Sequence, residues 1–171
     1  MKRMFFSGFI SILISLVLIE FQFPFSDHIL FNIGRSINAD EINYYVNQKK
    51  DGTLNEKEPI SIFWIKRTAD NRLEPITWIQ ENFSYGLEFI TTTSVSAKFQ
   101  FVSYGKRTFE LKKNTKGDYS VFTISGNKEV EVKRIFVQID GGTFWFPKIT
   151  KVELHANIAG TNNRVIEIIN P

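Results

Sequence analysis

Short segments with large apolar residues at alternate positions follow one another through most of this chain, separated by turn-forming residues at intervals of roughly 8 to 12. This spacing is typical of β-sandwiches and barrels. Aromatic residues make up 15% of the sequence, and their side chains suit the pleated surface of a sheet. We therefore predict an all-β fold: a single antiparallel β-sandwich or partly open barrel of about 8 to 10 strands with one short helix, preceded by an N-terminal apolar helix.

Glycine marks two predicted hairpins, at Gly105-Lys106 and at Gly126-Asn127, because the first central position of such a two-residue turn requires positive φ. Residues 60–65 are apolar on both faces, which predicts a central strand covered on both sides and deep in the core. The predicted strands lie at residues 29–34, 41–47, 60–68, 87–93, 96–104, 106–112, 119–125, 128–139, 149–158 and 164–169.

The segment 128–140 changes the parity of its apolar residues. They fall on even positions as far as Val132 and on odd positions from Ile135 onward. A β-bulge at Lys133-Arg134 would keep both sets on the core face and would bend the strand. A break into two strands is the alternative.

One helix is predicted, from Pro75 to Asn82. Pro75 suits a first helical turn, Ile79 and Phe83 are spaced as on one face of a helix, and Gly86 provides a stop. We expect about two turns that cap the sheet rather than form a layer of their own.

The N-terminus predicts export. Lys2 and Arg3 precede an apolar run at residues 5–19, which is the pattern of a secretory signal. No A-x-A-like triplet follows, so retention as an anchor stays open. We predict that residues 1–25 are a signal peptide or an uncleaved N-terminal membrane anchor and that residues 26–171 form a single β-rich domain. The protein is then periplasmic, secreted or anchored to the membrane by its N-terminus, with membrane contact through residues 5–19 if that segment is uncleaved.

Composition excludes several classes of protein. The chain has no cysteine, so it can have neither disulfides nor a lipidated cysteine. Its 21 basic and 18 acidic residues are interleaved, without a stripe of Lys and Arg spaced by aromatic residues. We expect a solvated surface of mixed charge and no nucleic-acid partner.

No pattern for catalysis or metal binding is present. His28 follows the apolar leader. His155 belongs to a set of polar residues at every second position that alternates with apolar ones, so we expect His155 to face solvent. The sequence has no G-x-S-x-G, G-x-G-x-x-G or P-loop motif. We therefore predict no catalytic residues, no metal and no cofactor.

Glu167 is an unusual carboxylate because large aliphatic residues surround it in the sequence. If it is buried it needs a partner, and Arg35 or Arg164 could provide one in a pair that is structural more often than functional. Aromatic residues with polar tips could line a cavity, or could be ordinary core: Tyr44, Tyr45, Trp64, Trp78 and Tyr85. The candidate ligand-binding residues are Arg35, Tyr44, Trp64, Tyr85 and Glu167.

Several motifs occur in a fixed order: F-N-I-G-R-S-I-N-A from Phe31, P-I-S-I-F-W-I from Pro59, Tyr85-Gly86, V-E-L-H-A-N-I-A-G-T from Val152, and E-I-I-N-P at the end. As an ordered set over most of residues 31 to 171, they resemble the domain-of-unknown-function family numbered 4833. The resemblance implies a single exported β-rich domain. It implies no reaction, because that family has no established activity.

These observations favour a non-enzymatic binding or structural module of the cell envelope. We expect its partner to be a small apolar ligand, a glycan or an envelope protein. One alternative is a hydrolase that uses carboxylates or His155 in a cleft. A second is a membrane-anchored structural protein.

Overall fold

The computed structural model describes residues 28–143 and 146–170, and 64% of the described residues lie in strands. The short helix α1 (Trp78–Gln80) continues as a π-helical turn (Glu81–Tyr85). The strands are β1 (Ile29–Arg35), β2 (Asn38–Val46), β3 (Ile60–Lys66), β4 (Arg72–Pro75), β5 (Leu87–Thr92), β6 (Ala97–Phe101), β7 (Tyr104–Lys113), β8 (Tyr119–Ser125), β9 (Lys128–Gly142), β10 (Pro147–Ile158) and β11 (Arg164–Ile169). The predicted N-terminal apolar helix lies outside the described residues.

These eleven strands form one sheet built around β9. Along one edge of β9 runs β10, and β11 extends the sheet beyond β10. Two strands share the other edge: β8 pairs with residues 128–131 and β1 with residues 134–137. Each begins a wing of four strands. The first wing is β1-β2-β3-β4, and the second wing is β8-β7-β6-β5.

The predicted bulge in β9 is confirmed. His155 lies opposite Arg134 and Ala156 opposite Val132, so Lys133 is the extra residue. The strand continues through this point, and the alternative of a break into two strands is wrong. Val132 and Ile135 are both buried, because the bulge restores the parity that the sequence loses. The bulge also marks where the partner of β9 changes from β8 to β1.

The pairing of β1 with β9 is parallel, with Asn32 opposite Arg134 and Arg35 opposite Val137. The other strand pairs of this sheet are antiparallel, so the prediction of an antiparallel fold is wrong at this one pair. The two strands are distant in sequence, and a parallel pair has no connecting turn that a sequence pattern could reveal.

The sheet curls into a half-barrel, and the wings face each other across the core. The ring of Phe101 on β6 lies 6.1 Å from that of Phe31 on β1 and 5.8 Å from that of Tyr44 on β2. Phe99 and Phe109 complete this aromatic core. Of the two predicted forms, the partly open barrel is therefore the one observed.

One predicted hairpin turn is confirmed and the other is displaced. Gly126 and Asn127 both have positive φ and join β8 to β9. By contrast, Gly105-Lys106 lies inside β7, and the turn falls at Val102-Ser103. Contacts distant in sequence fix this position, because the Val102 amide donates to the Gly86 carbonyl at 3.1 Å and the Ser103 hydroxyl to the Ser84 carbonyl at 2.6 Å.

The prediction of a deeply buried central strand at residues 60–65 is wrong. This segment forms most of β3, which is second from the edge, and Phe63 and Ile65 are only half-buried. Its outer neighbour is β4, a short strand that the sequence pattern did not predict. Pro75 lies in β4 opposite Phe63, and an edge strand can accommodate a proline because its outer side needs no amide donor.

The helix therefore begins later than predicted. Thr77 caps it: the Thr77 hydroxyl accepts from the Gln80 amide at 3.3 Å, and the Gln80 side chain accepts from the Thr77 amide at 2.9 Å. Gly86 follows the π-helical turn, as predicted. Ile79 and Phe83 remain largely exposed. Within the described residues, no helix has both the length and the hydropathy needed to cross a membrane.

Candidate functional site

The curled sheet lines a partly open cavity of about 340 Å³, here called the apolar cavity. Its walls are mainly aliphatic and include Val137 and Ile139 of β9 and Ile149, Val152 and Leu154 of β10. Val137 and Ile139 share one face of the sheet, as do Val152 and Leu154, because positions two apart along a strand point the same way. Ile149 reaches the same cavity through the register shift between Ile149 and Lys151. The polar side chains of its lining are Arg35, Ser84, Tyr85, Ser103, Tyr104 and Arg107.

Arg35 is half-buried at the end of β1. Its guanidinium donates to Asn38 Oδ1 at 3.1 Å and to the Tyr85 hydroxyl at 3.4 Å, and it lies 4.6 Å from the ring centre of Trp64. Among the described residues no carboxylate forms an ion pair with it. Its Nε atom is buried and has no hydrogen-bond acceptor. Arg35 therefore keeps an uncompensated charge and an unused donor.

The turn after β1 is fastened to β9, which fixes the position of Arg35. The Ser36 amide donates to the Val137 carbonyl at 3.1 Å. The Ser36 hydroxyl accepts from the Ile139 amide at 2.8 Å and donates to the Ile139 carbonyl at 3.1 Å. Val137 and Ile139 are themselves cavity residues, so this turn holds Arg35 against the apolar wall.

The second cavity arginine is neutralised. Arg107 on β7 forms a two-pronged ion pair with Glu167 on β11, in which Nη1 donates to Oε2 at 2.9 Å and Nη2 donates to Oε1. The hydrogen bond from Arg107 lowers the pKa of Glu167, and the same bond raises the pKa of Arg107. Glu167 thus has the partner that its surroundings require, but the prediction that this partner is Arg35 or Arg164 is wrong.

The five candidate residues have different positions. Arg35 and Tyr85 line the apolar cavity, and Glu167 contacts it through Arg107. Trp64 is buried beneath Arg35 and donates from Nε1 to Gln80 Oε1 at 3.1 Å. Tyr44 is fully buried, and its hydroxyl donates to the Tyr85 carbonyl at 2.8 Å. Burial raises the pKa of Tyr44 well above its ordinary value.

Sequence reasoning missed Arg107 and Tyr104. A signal for Arg107 was present, since it has the same parity as Phe109 and Leu111 and therefore belongs to the inward face of its strand. No comparable signal marked Tyr104. It lines the cavity because the turn lies at Val102-Ser103, three residues earlier than predicted, which makes Tyr104 the first residue of β7.

His155 lies on the face of β10 opposite Leu154 and away from the apolar cavity. It is partly exposed, as predicted, and its Nε2 lies 2.9 Å from the Glu153 carboxylate. Among the described residues, no three histidine, cysteine or acidic side chains are grouped to hold a metal ion. His155 therefore does not meet the other candidate residues in one cleft.

A second, polar cavity of about 720 Å³ lies between β1 and the β7-β8 turn. Several of its charged side chains are paired with one another. Lys112 contacts Glu129 at 2.6 Å, and Lys133 contacts Glu131 at 2.6 Å. Mutual neutralisation at an accessible surface is typical of a solvated groove.

The structure is a mostly β domain whose curled sheet lines a partly open, mainly apolar cavity. Residues 31–168 match the model of a domain of unknown function, DUF4833, and the chain belongs to this family. The family resemblance seen in the sequence motifs is thereby confirmed. No curated protein and no solved structure matches the chain significantly.

Proposed function

We propose that this protein is an exported, non-enzymatic binding module that holds a small, largely apolar ligand in the apolar cavity. The observation that carries the proposal is the cavity itself: about 340 Å³ lined mainly by aliphatic and aromatic side chains, with a few polar groups. Such a composition and size are typical of small-molecule sites.

The packing around the cavity supports this proposal. Apolar side chains that line an unfilled cavity lack the van der Waals contacts that they would make in a close-packed interior. Water does not fill an apolar void readily, since a water molecule needs two to four polar partners. At the base of the cavity, Leu154 and Phe109 are almost fully buried, so the lining is continuous with the hydrophobic core. An apolar ligand would restore the missing contacts.

Export is the second part of the proposal, and the sequence of residues 1–25 supports it. Expression of the full chain, followed by fractionation and N-terminal sequencing, tests it. Two results agree with the proposal: the exported fraction contains a chain that begins after residue 25, or the membrane fraction contains a chain with an intact N-terminus. An intact chain found only in the cytoplasm would contradict it.

Uptake of the neutral fluorescent probe N-phenyl-1-naphthylamine by the purified protein tests ligand binding. The informative variant is Val152→Trp, which places a large ring in the cavity. The matched control is Ile168→Trp, an equally large insertion on the exposed face of β11. We expect the wild type and Ile168→Trp to bind the probe and Val152→Trp to bind at least about tenfold more weakly while keeping the far-UV spectrum of a folded protein. Equal binding by all three proteins, or binding by none, would refute the proposal.

A further inference from the structure

The charges of the apolar cavity indicate what kind of ligand it takes. Its lining contains two charged side chains, Arg35 and Arg107, and both are cationic. Glu167 neutralises Arg107, whereas Arg35 has only neutral contacts among the described residues. The cavity therefore carries one uncompensated positive charge, next to walls that are otherwise apolar.

The donors around Arg35 are incompletely used. A guanidinium has five N–H groups in a fixed plane, and the buried Nε–H of Arg35 has no acceptor. The Tyr85 hydroxyl accepts from Arg35 at 3.4 Å, and its own proton has no acceptor in the hydrogen bonds of the described residues. The buried Nε–H is out of reach of a bound molecule, so an anionic acceptor would use the terminal N–H groups of Arg35 and the Tyr85 hydroxyl, where charge-assisted hydrogen bonds are strong.

We infer that the ligand is a medium-chain acyl carboxylate, with its carboxylate on Arg35 and Tyr85 and its alkyl chain along the aliphatic wall of β9 and β10. This inference rests on the proposed function and adds the chemical class of the ligand. A planar carboxylate matches the guanidinium fork, and the single uncompensated charge requires a single anionic group. A volume of about 340 Å³ is at the lower end of ligand sites, which favours a chain of medium length.

The first test varies the ligand and leaves the protein unchanged. Decanoate, methyl decanoate and decanol compete with bound N-phenyl-1-naphthylamine on the full wild-type chain at neutral pH. These competitors have the same alkyl chain, and only decanoate is charged. We expect decanoate to displace the probe at a concentration at least about tenfold lower than either neutral competitor, as charge-assisted hydrogen bonds imply.

The second test varies the arginine. Arg35→Met removes the charge and keeps most of the length, Arg35→Lys keeps the charge, and Arg72→Met is a control at an exposed arginine on β4, remote from the cavity lining. We expect Arg35→Met to bind decanoate and decanol within about twofold of each other, Arg35→Lys to retain part of the preference, and Arg72→Met to behave as the wild type.

The outcomes separate the two proposals. If the wild type binds the probe but shows no preference for decanoate over methyl decanoate, the carboxylate assignment is overturned and the binding function stands. If the wild type binds neither the probe nor any competitor, the binding function itself fails. If Arg35→Met does not fold, the comparison of the three ligands on the wild type still decides the assignment.

Discussion

Arg107 and Glu167 fasten the second wing to the far edge of the sheet, since β7 and β11 are not paired strands. The two side chains are mostly shielded from solvent, with exposed fractions of 17% and 26%. An ion pair of this kind matters chiefly through what is left behind when one partner is removed, because the remaining charge loses its counterion.

Glu167→Gln should therefore destabilise the fold by about 1 to 3 kcal/mol at neutral pH. The pKa of Glu167 is lowered in the folded state, so the stabilising contribution is fully present above its ordinary pKa of 4.5 and is lost as the pH falls through the lower folded value. Urea denaturation at pH 7 and pH 3 measures the difference between variant and wild type, which we expect to shrink at pH 3. Glu74→Gln, at an exposed pair with Arg72, is the control, with a change within about 0.5 kcal/mol.

Gly86 is required for a different reason. Its φ is −68°, which suits any residue, but an added Cβ would lie 1.8 Å from the Glu81 carbonyl oxygen. Gly86→Ala should destabilise the protein by more than about 3 kcal/mol, because the obstacle is backbone that cannot move aside cheaply. Gly105→Ala is the matched control, since the nearest atom to its Cβ would be 3.6 Å away. Equal thermal midpoints for the two variants would contradict this account.

At this scale the sequence predicts inward-facing charges better than it predicts their partners. Alternation marks Glu167 as a carboxylate among apolar residues, and the same signal was present for Arg107, although it was missed. It cannot show that Arg107, rather than Arg35, meets Glu167, because that pairing depends on how the sheet curls. For the same reason, alternation does not separate Tyr85, which lines the cavity, from Tyr44, which is core.

Among the elements, β9 pairs with the largest number of strands. Its bulge lies where the partner on one edge changes from β8 to β1. The extra residue Lys133 lies between the part paired with β8 and the part paired with β1. It keeps Val132 and Ile135 on the same face of the sheet. Without it, one of the two halves would turn its apolar residues to solvent.

Deletion of Lys133 should prevent a stable fold, because a one-residue slip exchanges the two faces of a strand. The measurement is the yield of soluble protein together with its thermal transition. Lys133→Ala retains the residue and loses only the exposed contact with Glu131, so we expect a change within about 1 kcal/mol. A cooperative transition of the deletion variant at the wild-type temperature would show that the bulge is dispensable.

The elements that the sequence predicts well are those with local signals. Alternation locates β1 to β3 and the strands from β5 onward to within a few residues, and the parity change locates the bulge. The elements that the sequence does not predict depend on contacts with other segments. β4 forms because it pairs with the outer edge of β3. The turn at Val102-Ser103 is held by hydrogen bonds to the carbonyls of residues 84 and 86. Gly105 can lie in a turn at residues 105–106 or in a strand that follows a turn at residues 102–103. The sequence alone therefore does not determine which residues form the turn.

Over the whole molecule, stability is unevenly distributed. β9 is hydrogen-bonded on both edges along most of its length, whereas β4, β5 and β11 end the sheet with one partner each. Opening the structure at β9 would separate both wings from β10. Opening the structure at β4 would break only the short pairing of β4 with β3.

Native-state hydrogen exchange measured by mass spectrometry should therefore show the slowest exchange in β9 and the fastest among strand residues in β4. The physical reason is that an amide exchanges when its hydrogen bond opens, and the opening of β9 approaches global unfolding. Residues 130–137 compared with residues 72–75 give the clearest contrast. Similar protection in the two segments would mean that the sheet opens as one unit.

The parallel pairing of β1 with β9 also has a consequence for synthesis. β1 can form its hairpin with β2 as soon as both have left the ribosome, but its other edge must wait for residues about 100 positions further along the chain. At elongation rates of about 5 to 20 residues per second, that edge stays open for roughly 5 to 20 seconds. Long-range pairings of this kind form late in folding, since they close the largest loops. The cavity, which needs both wings, is thus among the last features of the molecule to form.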